Sequence, residues 1–140
     1  MTRPKFIQPV IIAVIKKDNK YLLTQRAVVD TEDLPDFKGK WELPGGGMEL
    51  GESPIETLHR EVKEELGIEV KIITEFPYTF TKIRGSWQGL FLCYVCETEA
   101  AADAIVLNEE SSAYQWATKE EIATLPSLPG VVEVIKAFTK

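Results

Sequence analysis

A chain of 140 residues holds one domain with a sizeable buried core and leaves little room for two. Apolar residues make up 44% and charged ones 27%, which excludes a disordered chain, and a formal net charge of −6 disfavours an electrostatic grip on a nucleic-acid polymer. No apolar run approaches the roughly 20 residues that span a bilayer, and no small-residue cleavage site follows Met-Thr-Arg-Pro-Lys-Phe, so a single cytoplasmic domain over residues 1–140 is expected.

Val10 to Ile15 is an unbroken, largely β-branched run, the pattern of a strand covered on both faces. Lys17-Asp18-Asn19-Lys20 carries turn chemistry and Tyr21 to Gln25 reads as the returning strand of a hairpin. Ala27 to Lys40 lacks periodicity and is expected to be a loop. Trp41-Glu42-Leu43 is a short extended piece, stopped by Pro44 and the glycines Gly45, Gly46 and Gly47, which are expected to form a second loop.

The strongest helix signal follows. Ser53 suits the N-cap, Pro54 the first helical position, Glu56 completes a capping box, and Gly67 stands where a left-handed terminating residue belongs. Glu69 to Phe76 alternates well enough for a strand ended by Pro77, Tyr78 to Phe80 is a further extended piece, and Trp87 to Glu97 reads as a long central strand after an Arg84-Gly85-Ser86 turn. Cys93 and Cys96, three apart in that strand, point to opposite faces, which suits buried thiols better than a zinc site. Ala100 to Asn108 is open between loop and short helix. Ser112 to Trp116 resembles a last strand, Thr118 and Glu121 offer a second capping box, and Leu128 to Phe138 has the spacing of a terminal helix.

At about 100° per residue, Ile55, Leu58, Val62 and Leu66 share one stripe, with His59, the only histidine, expected to pack beside Leu66. Glu61, Glu64 and Glu65 fall within an arc of roughly 100° beside that stripe. Such a cluster is either a solvated acidic face or a site for a hard divalent cation. The second reading gains weight because Glu64 and Glu65 sit in the last turns, where the helix dipole disfavours them and like charges repel. Magnesium or manganese would supply the missing compensation, being cations that prefer oxygen ligands.

Gly46, five residues, Glu52, seven residues, Arg60-Glu61-Val62, one residue, Glu64-Glu65, one residue and Gly67-Ile68 match the Nudix box at every defined position. The preceding Trp41-Glu42-Leu43-Pro44-Gly45 also resembles the segment that leads into it. On this match the chain is identified as a member of the Nudix family. The resemblance implies an α/β/α sandwich around a mixed sheet, and a hydrolase that uses Mg²⁺ or Mn²⁺ to cleave the pyrophosphate bond of a nucleoside triphosphate or another nucleoside diphosphate derivative.

Carried over by position, the resemblance makes Glu61, Glu64 and Glu65 metal ligands, with the Gly45 carbonyl completing the shell. Glu52 would bind a further metal or hold water, and Arg60 would orient the carboxylates. Glu110, with Glu109 close behind, is the candidate general base, in the loop ahead of the last strand; some family members use a box glutamate instead, and Glu64 is counted with Glu110, Arg60 and Glu52 among the catalytic candidates. Leu50, where the family often has proline, is a minor departure.

Outside the box, Arg26, Phe37 and Arg84 are the candidate substrate-binding residues, with Tyr78, Phe80 and Trp87 as further aromatic candidates. No ADP-ribose, diadenosine polyphosphate, coenzyme A or NADH signature stands out. The alternatives are a noncatalytic nucleotide-binding or regulatory Nudix domain, a hydrolase of a sugar nucleotide such as ADP-ribose, and an acidic structural domain without a ligand. The expected partner is a small-molecule nucleotide, with no nucleic-acid polymer and no membrane, and with a homodimer left open.

Overall fold

The computed structural model describes residues 6–27 and 37–139. Two parallel strands form the centre: β1 (Phe6–Lys17) lies beside β7 (Trp87–Glu97), in register from Phe6 opposite Trp87 to Lys16 opposite Glu97. A hairpin links β1 to β2 (Lys20–Arg26). Its turn residues Asp18 and Asn19 both have positive φ, 50° and 63°, as a two-residue turn matching the strand twist requires. β2 carries β3 (Trp41–Glu42) and β8 (Ser111–Ala117), whereas β5 (Lys71–Ile72) and β6 (Tyr78–Arg84) pair with β7, giving a mixed sheet of eight strands among the described residues.

The period of two along the central strands decides what covers each face. Ile11, Ala13, Ile15, Tyr94 and Cys96 pack with Leu58, Val62 and Leu66 of helix α1 (Pro54–Leu66). Val14 and Cys93 face the other way, onto Ile122 of α2 (Lys119–Ile122) and onto Val131, Val134 and Ile135 of α3 (Val131–Phe138). Helices thus cover both faces of the sheet, the expected α/β/α sandwich. Cys93 and Cys96 are buried on opposite faces, and burial pushes both thiols up to about 12. No helix among the described residues is long and apolar enough to cross a membrane.

Several boundaries differ from expectation for local reasons. The glycines of 45–47 are a short strand, β4 (Gly45–Gly47), antiparallel to β1. The strand expected from Glu69 shrinks to two residues because the Thr74 hydroxyl accepts the Val95 N–H where a ladder carbonyl would, and Phe76 is left 75% exposed. α3 starts at Val131 because Gly130 is left-handed, φ 99°, and the Leu128 N–H is tied to the Trp41 carbonyl. The segment 100–108 takes neither helix nor strand; it is moored by the Trp116 indole N–H on the Ala102 carbonyl and by Val106 N–H on the Leu66 carbonyl. Of the loop expected between Ala27 and Lys40, residues 28–36 lie outside the described residues. Gly39 N–H and the Lys40 carbonyl bond the backbone of Arg26.

Candidate active site

Both ends of α1 are built as the sequence reading has them. The Ser53 hydroxyl accepts the Glu56 N–H at 3.2 Å, the Glu56 carboxylate accepts the Ser53 N–H at 3.0 Å, and Gly67 closes the helix in the left-handed region at φ 67°. The packed face is rotated from the expected one. Thr57, Leu58, Val62 and Leu66 are buried, whereas Ile55 is 42% exposed and His59 is exposed rather than packed beside Leu66. At about 100° per residue this turns the buried arc toward the glutamates, so that Glu65 falls inside it and His59 leaves its far edge.

Close approach makes glycine necessary here, within the sheet at Gly45 and between sheet and helix at Gly46. A Cβ on Gly45 would run into the Ile11 carbonyl, and one on Gly46 into the Glu61 carboxylate. Gly45 also holds Glu65, through its N–H, which donates to Glu65 Oε2 at 3.1 Å. The expected role of Gly45 was through its carbonyl; the contact the structure contains is made by its amide.

The carboxylates divide into two environments. Glu52 accepts Arg60 Nε at 2.6 Å and Nη2 at 3.0 Å, the Glu49 N–H at 3.0 Å and the Thr57 hydroxyl at 2.9 Å. The Arg60 guanidinium, foremost among these donors, holds the Glu52 carboxyl down to about 2. Arg60 also reaches Glu61 at 2.9 Å, Glu64 at 3.3 Å and the Gly47 carbonyl at 3.1 Å, and the Glu52 contact raises its own pKa. Glu65 is the opposite case: burial, then the neighbouring charge of Glu61, drives its carboxyl up to about 9 against the one Gly45 N–H, with Glu110 and Glu42 adding to the rise. Glu61 is also raised, by burial first, partly relieved by Arg60.

Of the expected site residues, Glu52, Arg60, Glu61, Glu64, Glu65 and Gly45 are therefore drawn together around one corner of β4 and α1. Glu110 stands just before β8, exposed, with its charge felt by both Glu61 and Glu65. Glu109 is exposed beside it. With Arg60 shared among Glu52, Glu61 and Glu64, no three His, Cys, Asp or Glu among the described residues form a preassembled metal cage. The donor set nonetheless fits a hard divalent cation: among the described residues Glu65 accepts a hydrogen bond from the Gly45 N–H alone, and the charges of Glu61, Glu110 and Glu42 all oppose its ionisation.

A cleft of about 710 Å³ opens on the sheet face opposite α1 and reaches Gly45–Gly47. The three expected substrate residues meet there. Phe37, 7% exposed, lies between the guanidinium groups of Arg26 at 5.9 Å and Arg84 at 5.0 Å, and Arg84 also stands 4.5 Å over the Trp87 ring. Phe80 and Phe91 stack at 4.6 Å on its floor; Tyr78 does not line it.

Two residues of this region escaped the sequence reading. Glu42 binds Arg26 through both its oxygens, at 2.7 and 3.1 Å, and its charge reaches Glu65. Its only mark in the sequence is a polar residue before Leu43-Pro44. Gln8, inside the first apolar run, lines the cleft; its even number places it on the face of Val10 and Ile12.

The NUDIX domain model matches residues 6–138. The nucleoside triphosphatase NudI of Enterobacter sp. (strain 638) is 32% identical over 124 residues, 83% of this chain and 85% of that protein. Among solved structures, the E. coli ORF135 protein shares 27% identity with a TM-score of 0.74, covering 94% of this chain and 88% of that one. A MutT NUDIX hydrolase from Burkholderia pseudomallei superposes with a TM-score of 0.81 over 96% of this chain and 100% of its own at 20% identity, a likeness of fold. With a complete box folded onto this sheet and a family match along nearly all its length, the chain belongs to the NUDIX family of hydrolases.

Proposed function

We propose that this enzyme hydrolyses the pyrophosphate bond of a nucleoside triphosphate with Mg²⁺ or Mn²⁺, acting as one domain. The observation that carries the reading is Glu65: a buried carboxylate beside the charge of Glu61, bonded among the described residues by one backbone N–H, that of Gly45, a residue which also lines the cleft of arginine and aromatic side chains. Its cost to the fold is explained if a cation and a polyphosphate complete the site. The name of the NudI relatives supports the substrate class.

Glu61, Glu64 and Glu65 would hold the cation, with the Gly45 backbone beside them and Arg60 setting the position of Glu61 and Glu64. Bound there, a divalent cation offsets the phosphate charge and lowers the pKa of the attacking water. Glu110, in the loop ahead of β8 with its charge felt by Glu61 and Glu65, would take a proton from the attacking water. Arg26 and Arg84 face the polyphosphate and base from the cleft wall, and Phe37 keeps water from its back. Glu52 has its oxygens engaged by Arg60, Glu49 and Thr57, so it acts by fixing Arg60.

A screen of nucleotides with Mg²⁺ and Mn²⁺, with products separated by chromatography, tests this reading. Release of monophosphate and pyrophosphate from a triphosphate is expected. Turnover confined to ADP-ribose or other sugar nucleotides would replace the substrate assignment, and tight binding without turnover would make the domain a nucleotide sensor.

A further inference from the structure

The cleft contains one side chain whose hydrogen-bonding sense is fixed by its neighbour. Trp87 Nε1–H donates to Gln8 Oε1 at 3.1 Å. An indole N–H can only donate, so the Gln8 amide must turn its oxygen to the tryptophan and its NH₂ away. The freed Nε2 lies over Gly47, occupying the space that a Cβ there would need. Among the described residues no acceptor is bonded to it, and both Gln8 and Trp87 line the cleft. The Trp87 ring is held in turn by Arg84 at 4.5 Å and by the edge of Phe91 at 6.2 Å. The cleft therefore presents an oriented donor beside an apolar floor of Val10 and Phe91 and an aromatic wall.

We infer that Gln8 is a specificity-determining residue that reads the nucleobase, selecting a base with an exocyclic carbonyl over its counterpart with an exocyclic amine. The inference rests on the nucleotide reading above. A keto oxygen accepts from Nε2, whereas an amine in the same place sets donor against donor. The amide cannot flip to accommodate it without breaking the indole bond. Discrimination of this kind is large when a buried polar group is left unpaired. The same chemistry serves uracil over cytosine and a 6-keto purine over adenine.

The test is kcat/KM with Mg²⁺ for UTP against CTP and for ITP against ATP, in the wild type and in Gln8→Leu, Gln8→Glu and Trp87→Phe, with thermal unfolding confirming that each variant folds. The wild type is expected to favour the keto member of at least one pair by about tenfold or more. Gln8→Leu should lower turnover of that member to the level of its amino counterpart. Gln8→Glu, whose second oxygen can only accept at neutral pH, should reverse the ratio, and Trp87→Phe, which frees the amide to turn, should bring it toward one. Equal turnover within both pairs, an amino preference, or an unchanged ratio in Gln8→Leu and Gln8→Glu overturns the inference while leaving nucleotide hydrolysis intact. Absence of turnover with every nucleotide overturns both.

Discussion

Glu52 and Glu65 stand at opposite ends of one motif and are opposite in energy. Glu52 is ringed by donors and ionises near pH 2, whereas Glu65 is enclosed with other acids and is driven to about 9. Two glutamates thirteen residues apart in the chain differ because one faces Arg60 at the helix N-terminus and the other faces the sheet near its C-terminus, where the dipole also opposes charge. The difference separates what the fold needs from what a ligand needs. Glu52 stabilises the loop and α1 without help, and Glu65 costs stability until something cationic arrives.

Replacing Glu65 is the strongest way to break that contrast. Glu65→Gln should reduce metal-dependent turnover by at least ~10³-fold, since it removes a charged ligand at the position the cation would neutralise. The same variant should stabilise the metal-free protein, by on the order of 2–3 kcal/mol at pH 7, because a neutral amide replaces a carboxyl whose ionisation burial opposes. Kinetics and denaturant unfolding of one preparation check both halves. Turnover at the wild-type rate, or loss of stability, would remove Glu65 from the metal site.

The pH dependence of stability should show the contrast without mutation. For Glu65 the folded value lies above the unfolded one, so between about 4.5 and about 9 the folded state binds the extra proton and stability falls as pH rises. Glu61 pushes the same way. For Glu52 the folded value is depressed, so its contribution is present above about 4.5 and is lost as pH falls toward about 2. Melting of the metal-free protein should therefore be highest near the middle of the acid range, and Mg²⁺ should raise Tm more at pH 8 than at pH 6. A Tm that climbs steadily from pH 5 to pH 9 without metal would contradict the assignment.

Arg60 joins the two environments, and its loss should have a smaller effect on rate. Arg60→Ala leaves Glu52 without its main partner and Glu61 without its ion pair, so turnover should fall about 10–100-fold, the range for groups that position metal ligands. Arg60→Lys should recover little, because a point ammonium cannot match the two-pronged grip on Glu52. Kinetics at saturating Mg²⁺ against limiting Mg²⁺ would show whether the loss lies in metal affinity.

The sequence announced the Glu52 side of this comparison more fully than the Glu65 side. Capping boxes, a terminating glycine and an Asp-Asn turn are local: a few adjacent side chains decide the backbone, so Ser53, Glu56, Gly67 and Asp18-Asn19 read correctly. Burial of one flank of α1 is not local. A hydrophobic stripe centred on Ile55 and Leu66 pointed to His59, but the sheet packs against the neighbouring flank, and the buried carboxylate itself hid the true centre. Glycines 45–47 read as a loop because their strand is defined by contact with β1 and Glu61, which composition does not encode. Glu42 and Gln8 were missed for the same reason, each taking its role from a partner far along the chain, Arg26 and Trp87.

The smallest test sharpens the Glu52 side. Thr57 is fully buried, and its hydroxyl has two acceptors within reach, Glu52 at 2.9 Å and the Ser53 carbonyl at 3.1 Å. The single proton is shared between them or given to one, and Glu52 retains Arg60 and the Glu49 N–H in either case. Thr57→Val keeps the shape and removes one donor from an already well-supplied carboxylate, so the expected loss is about 1 kcal/mol, with turnover within about twofold of wild type. A loss of several kcal/mol, or of activity, would mean that Glu52 depends on this hydroxyl and that Arg60 does not hold it alone. Reading the unfolding transition at pH 3 as well as pH 7 separates the two: at pH 3 Glu52 is still ionised only if its donors hold it, and a variant that weakens there more than at pH 7 has lost part of that hold.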